Sequence, residues 1–117
     1  MNVAVALKSP GSPCGIYKAD FLVRVDASDS LAPASELTRI GVQSVGRTVY
    51  ELANGTVQEY PFGLVEIKFM GQVTAGRVIF GPDNAEPILG VTALESVGIT
   101  IDPTSRTLKR LPAIPLK

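Results

Sequence analysis

The sequence of 117 residues has no histidine, and that absence removes Ser-His-Asp and Cys-His nucleophilic catalysis together with most zinc sites. Any chemistry then falls to carboxylates, serine, lysine or tyrosine. Tryptophan is absent, and a lone cysteine, Cys14, cannot form a disulfide within the chain. Cys14 stands in the turn-like run "SPGSPCG" with no imidazole to activate it, and reads as an ordinary loop thiol. An excess of either charge is also missing, since 11 Lys and Arg balance 11 Asp and Glu. Without a net field, nucleic acid and anionic membranes are not expected partners. No apolar run approaches the roughly 18 residues of a membrane helix. No positively charged leader precedes an apolar segment, so the expectation is a soluble cytoplasmic protein.

What is present points to one β-rich core. With 45% hydrophobic residues the chain can bury a single core, and residues 1–117 read as one domain. Short apolar or alternating runs such as "VAVAL", "GIYKADFLV", "RTVYEL", "TVQEY", "LVEIKF", "QVTAGRVIF", "PILG", "GITI" and "TLKRL" are set off by Gly, Pro, Asn and Asp. In "GLVEIKF", Val65, Ile67 and Phe69 alternate with Leu64, Glu66 and Lys68, which predicts one face in a core and one largely in solvent. The tight "MGQ" turn predicts that this strand pairs with "VTAGRVIF". Asn54-Gly55 inside "ELANGTVQEY" predicts a second hairpin.

Two stretches read as short helices. In "PASELTRIG", Pro33 suits a first helical turn, Leu37 and Ile40 share a face, and Gly41 suits a left-handed stop. In "TALESVG", Thr92 and Glu95 have the spacing of a capping box and Gly98 that of a stop. The tail "LPAIPLK", with two prolines, reads as loosely held.

From Val78 to Pro103 the chain carries a strand, a Gly-Pro-rich loop, the apolar-apolar-Gly motif Ile88-Leu89-Gly90, a short helix over Thr92 to Gly98, and a strand ending in Asp102-Pro103. Upstream, "FLV" and "ASDSLAP" flank three residues, Arg24-Val25-Asp26. In this order and spacing the chain resembles the retropepsin-like aspartic proteases, single-lobe relatives of retroviral proteases. The resemblance covers nearly the whole sequence. It implies an all-β closed barrel with short helices, a homodimer, peptide-bond hydrolysis by an aspartyl dyad, a peptide or protein substrate, and neither cofactor nor metal. It also makes the hairpin "YELANGTVQEY" a flap over substrate.

In such a family two carboxylates about 3 Å apart share a proton and act as base and acid on one water. The catalytic triplet, Asp-Thr/Ser-Gly, falls here on Arg24, Val25 and Asp26. Arg24 has no carboxylate to share a proton. Val25 lacks the hydroxyl that hydrogen-bonds across the dimer, and Asp26 fills the space of a glycine. The resemblance therefore implies an inactive or impaired copy, or a dimeric module that binds extended peptide without cleavage. Asp26 as a displaced catalytic residue lies two positions along the strand, at about 3.3 Å per residue, away from the dyad position. A different expectation is an ion pair from Arg24 of one chain to Asp26 of its twin.

Ala27, Ser28, Asp29 and Ser30 follow the triplet, where the resemblance implies contacts to a substrate backbone; turn chemistry explains Asp and Ser there as well. Ala53, Asn54 and Gly55 form the tip of the implied flap, or an ordinary tight turn. Tyr50 and Tyr60 are placed to close over a groove or to pair across strands. Asp83 and Asp102 lie in carboxylate-bearing loops whose spacing is not that of a calcium site.

Overall fold

The computed structural model describes residues 1–11 and 15–114, so Cys14 lies outside the described residues. Its elements are β1 (Asn2–Lys8), β2 (Tyr17–Val23), β3 (Ser30–Pro33), α1 (Ala34–Arg39), β4 (Gly46–Glu51), β5 (Val57–Phe69), β6 (Gln72–Gly81), β7 (Ile88–Leu89), α2 (Val91–Ser96), β8 (Ile99–Asp102) and β9 (Thr107–Arg110). The strands run in the order β1-β2-β7-β3-β6-β5-β4, and β1 pairs again with β5. That second pairing closes β1, β2, β7, β3, β6 and β5 into a ring, the closed barrel expected from the sequence. Strand β4 stays outside the ring, hydrogen-bonded to β5 alone. Strands β8 and β9 form a separate hairpin.

Alternation determines what the ring encloses. Val65, Ile67 and Phe69 of β5 are buried while Leu64 and Lys68 are exposed, and Val5 and Leu7 of β1 join them inside. Each side chain so buried contributes about 1.5–3 kcal/mol. Strand β5 pairs with β6 as expected, through Val65↔Gly76 and Phe69↔Gln72. The turn is Met70-Gly71, with φ of 51° and 73°, the two left-handed residues of a type I′ hairpin.

Two expected strands, "TVQEY" and "LVEIKF", merge into the single 13-residue β5. Pro61 does not break it, because of where it falls. The Phe62 carbonyl bonds the Val45 N–H on the β4 side, so Pro61 directs its nitrogen away from β4. Pairing with β6 extends only to Phe62, and no ladder bond is lost. Strand β3 is not among the runs that read as strands: Ser30–Pro33 becomes one by pairing in parallel with Val78–Gly81.

Leu37 and Ile40 of the first helical stretch are fully buried. Gly41 takes φ 87°, and the bonds Val42 N–H to Leu37 O at 2.9 Å and Gly41 N–H to Thr38 O at 3.1 Å complete a Schellman stop. Pro33 precedes the helix as its N-cap rather than joining the first turn. Asp83 accepts from the Ser35 N–H at 2.9 Å, which gives that loop carboxylate a structural task. Asp102 likewise accepts from the Thr104 N–H at 2.9 Å in its own turn. The capping box in α2 does not form. Gly90 is the N-cap, Thr92 lies inside the helix, and no side chain caps it. The carbonyls of Ala27 and Ser28 instead accept from Val91 and Thr92, at 2.8 and 3.2 Å. At the other end Gly98, at φ 73°, stops the helix as expected. In the tail, the Leu111 N–H bonds the Gly98 carbonyl at 2.8 Å. Among the described residues no helix is long and apolar enough to cross a membrane.

Candidate functional site

Strand β2 carries the chain from the core to the site. Phe21 is fully buried, Leu22 and Val23 pair with Ile88 and Leu89 of β7, and the chain then leaves the sheet at Arg24. The Arg24 N–H still reaches the Leu89 carbonyl at 3.3 Å. Its guanidinium turns onto the carboxylate two residues on, Nε to Asp26 Oδ1 at 3.0 Å and Nη2 to Oδ2 at 2.8 Å. In the single chain, this bidentate pair forms between Arg24 and Asp26 of the same loop. Two residues of spacing in a turning loop bring the fork and the carboxylate together, and Val25 between them is 65% exposed. The hydrogen bond from Arg24 holds the Asp26 carboxyl below its ordinary range, and the same bond raises Arg24. The pair is therefore formed above the ordinary aspartate range and lost as pH falls through the lowered Asp26 value.

The loop from Ala27 to Ser30 is clamped by the Ile88-Leu89-Gly90 motif. Leu89 is fully buried, and Ile88 faces the cleft described below. Gly90 lies so close to the loop that a Cβ there would sit 2.6 Å from the Ser28 carbonyl oxygen and 2.6 Å from the Asp29 carbonyl carbon. Its N–H bonds the Ser30 hydroxyl at 3.1 Å, and Ser30 is 2% exposed. Ser30 thus serves the loop's anchorage and faces away from the cleft, while Ala27, Ser28 and Asp29 line it.

Across from this loop stands the β4–β5 hairpin. Its loop spans Ala53, Asn54 and Gly55, with Gly55 N–H to Leu52 O at 2.9 Å and Leu52 N–H to Thr56 O at 2.8 Å. Asn54-Gly55 therefore forms the second half of a three-residue loop, with Gly55 at φ 84° in the bulge position, rather than a two-residue turn. Asn54 Oδ1 accepts from the Thr56 N–H at 3.0 Å, so its side chain is engaged within the tip. Hairpin and loop enclose a cleft of about 550 Å³. One wall is Arg24 and Asp26 to Asp29, and the other runs from Val49 to Ala53. Leu31, Ile79, Ile88 and Tyr60 complete the lining. Asn54 and Gly55 lie beyond it.

Tyr50 ties the two walls together: its hydroxyl donates to Asp29 Oδ2 at 2.5 Å. Tyr50 and Tyr60 also form a tilted pair with ring centroids 6.2 Å apart. Arg77 lies beside this pair with Nη2 on Thr48 Oγ1 at 2.6 Å and its guanidinium 3.7 Å from the Phe62 ring centroid. Burial, then the bond to Asp29 and the charge of that carboxylate, push the Tyr50 phenol up to about 12 from 10.0. A folded value above the unfolded one contributes stability in full below pH 10.0 that is lost as pH rises through about 12. Asp29→Asn is expected to bring the phenol part of the way back toward the ordinary value of about 10. Ultraviolet difference titration, with Tyr50→Phe to identify the transition, checks this; a midpoint unmoved by Asp29→Asn would mean that burial alone sets it.

The lining residues Leu31, Val49, Glu51, Leu52 and Ile79 escaped the sequence reading. The signal for Ile79 was the unbroken run Val78-Ile79-Phe80, apolar on both faces of a strand, which marks a stretch covered on both sides.

Comparison with solved structures places this geometry. The retroviral protease-like domain of Ddi1 from Leishmania major superposes at TM-score 0.55 with 17% identity, over 97% of this chain and 90% of that one. The fold is retropepsin-like. The protein Lpg0085 from Legionella pneumophila, of unknown function, matches at TM-score 0.52 and 13% identity, over 87% of this chain and 91% of that one. A retropepsin-like aspartic protease from Rickettsia conorii aligns at TM-score 0.47 and 20% identity, over 86% of this chain and 84% of that one. No protein-family model matches the sequence, and no curated protein matches it. In this retropepsin-like barrel, Arg24 stands on the loop that follows β2, at the mouth of the cleft under the hairpin.

Proposed function

We propose that this chain is a retropepsin-like protein that binds extended peptide in the cleft beneath the β4–β5 hairpin and does not cleave it. The observation that carries the reading is the bidentate Arg24–Asp26 pair at the position of the family triplet. A general base must accept a proton and a general acid must hold one near working pH. Arg24 stays protonated, and Asp26, bonded on both oxygens and shifted downward, is a poor proton carrier. The walls of the cleft supply backbone groups and half-buried apolar side chains of the kind that hold a strand-like ligand. The same reading makes the chain a homodimer, as in the family. The Arg24 loops then meet across the twofold axis as neutral ion pairs rather than as bare like charges.

The test compares cleavage of a mixed peptide library at mildly acidic pH by this chain and by the triple reversion Arg24→Asp, Val25→Thr, Asp26→Gly. The expected result is no turnover above background for the first and measurable turnover for the second. Equal turnover by both would overturn the assignment of the triplet. Peptide retained without cleavage by the unaltered chain is the supporting outcome for binding.

A further inference from the structure

The β4–β5 hairpin projects from the barrel without support from its sheet. Pairing of β5 with β6 ends at Phe62↔Ile79, and residues 47–51 and 57–61 pair only with each other. Along β4, Arg47, Val49 and Glu51 are exposed while Thr48 and Tyr50 are half-buried, so Thr48 and Tyr50 share the face turned to the body. Each makes one hydrogen bond there, and among the described residues these two bonds join the hairpin to the rest of the chain. The Tyr50 hydroxyl donates to Asp29 Oδ2 at 2.5 Å, and Thr48 Oγ1 accepts from Arg77 Nη2 at 2.6 Å.

The two residues so met carry opposite charge. Each is bonded to a neutral hydroxyl, and neither makes an ion pair among the described residues. Arg77 is left further short, because its Nε is buried with no acceptor. A buried donor without a partner is costly, and a hydrogen bond between charged groups is roughly twice as strong as a neutral one. Asp29 and Arg77 border one gap of about 130 Å³ between the 27–30 loop, β6 and α2. The Phe62 ring, 3.7 Å from the guanidinium, is held to the barrel through Ile79 and keeps Arg77 in place whatever the hairpin does.

We infer that the hairpin is a clasp on an oppositely charged pair: closed, its two hydroxyls hold Asp29 and Arg77 apart; lifted, it frees both and they join as an ion pair across the gap. Lifting thus exchanges two bonds to neutral hydroxyls for one charged pair and supplies an acceptor to Arg77 Nε.

Spin labels at Asn54→Cys on the hairpin tip and Glu95→Cys on α2, in a chain carrying Cys14→Ser, report the tip position by double electron–electron resonance. Tyr50→Phe is expected to raise the lifted fraction about tenfold, through loss of one bond to a charged group. In the same variant without labels, the nitrogen-15 NMR signal of the Arg77 Nε–H group is expected to move as it gains a carboxylate, and to return when Asp29→Asn is added. Raised salt should shrink the lifted fraction, since the ion pair exists only there. Thr48→Val opens the clasp from the Arg77 side and reports independently if Tyr50→Phe disturbs the packing on Tyr60. A tip that stays in place in both variants would overturn the inference, as would an Arg77 signal that stays fixed while the tip lifts. Both measurements use the free chain, so a negative result leaves the peptide reading standing.

Discussion

Gly90→Ala is expected to destabilise the fold by about 3 kcal/mol or more, because the added methyl meets backbone and not a side chain that can swing aside. The new Cβ would approach the Ser28 oxygen and the Asp29 carbonyl carbon at 2.6 Å each, and the Asp29 oxygen at 2.7 Å. These atoms belong to the loop that carries Asp29 and lines the cleft. To relieve the overlap, the loop or β7 must move, and either movement breaks the Gly90 N–H to Ser30 Oγ bond inside the protein. Thermal melts should show a drop on the order of 10 °C together with loss of peptide binding. Gly76→Ala is the control: its Cβ meets only Ile67 Cδ1 at an ordinary 3.8 Å, so little change is expected. A Gly90→Ala melt that matches Gly76→Ala would mean that the loop is not clamped as described.

The second large effect belongs to Phe21→Ala, expected to lower stability by about 3–5 kcal/mol in equilibrium urea unfolding. Phe21 has no exposed surface and stacks at a tilt on Tyr17, with ring centroids 6.0 Å apart. It is also the last fully buried side chain before the chain leaves β2 for Arg24, so its cavity opens directly behind the loop. A loss of less than about 1 kcal/mol would show that neighbouring side chains collapse into the space.

Much of the barrel could be read from local pattern. Alternation in β5 gave the buried face, Met70-Gly71 gave the turn, and Gly41 and Gly98 gave the helix ends, because each depends on residues a few positions apart. What escaped depends on distant partners. Strand β3 is a strand only because β6 lies beside it, and α2 starts where carbonyls from the 27–28 loop accept its first N–H groups, which makes a Thr92–Glu95 box unnecessary. At the site, the flanks of Arg24-Val25-Asp26 were legible, whereas the pairing of Arg24 with Asp26 of its own chain was not. A two-residue loop spacing does not reveal that the side chains turn toward each other. The Tyr50–Asp29 tie joins residues 21 apart through the meeting of hairpin and loop, and no pattern within either segment announces it.

Strand β7 has a consequence for the order of events during synthesis. Its two residues lie between β2 and β3, parallel to the first and antiparallel to the second, and Gly90 meets Ser30 across 60 positions of chain. Until the ribosome has made that later segment, β2 and β3 present open edges with no neighbour to fill the gap between them. At about 5–20 residues per second, the wait is on the order of several seconds. During it the apolar run "FLV" and the unpaired "SLAP" are exposed to other nascent chains, so yield in the cell depends on holding factors or low expression rate more than the final stability of the barrel would suggest.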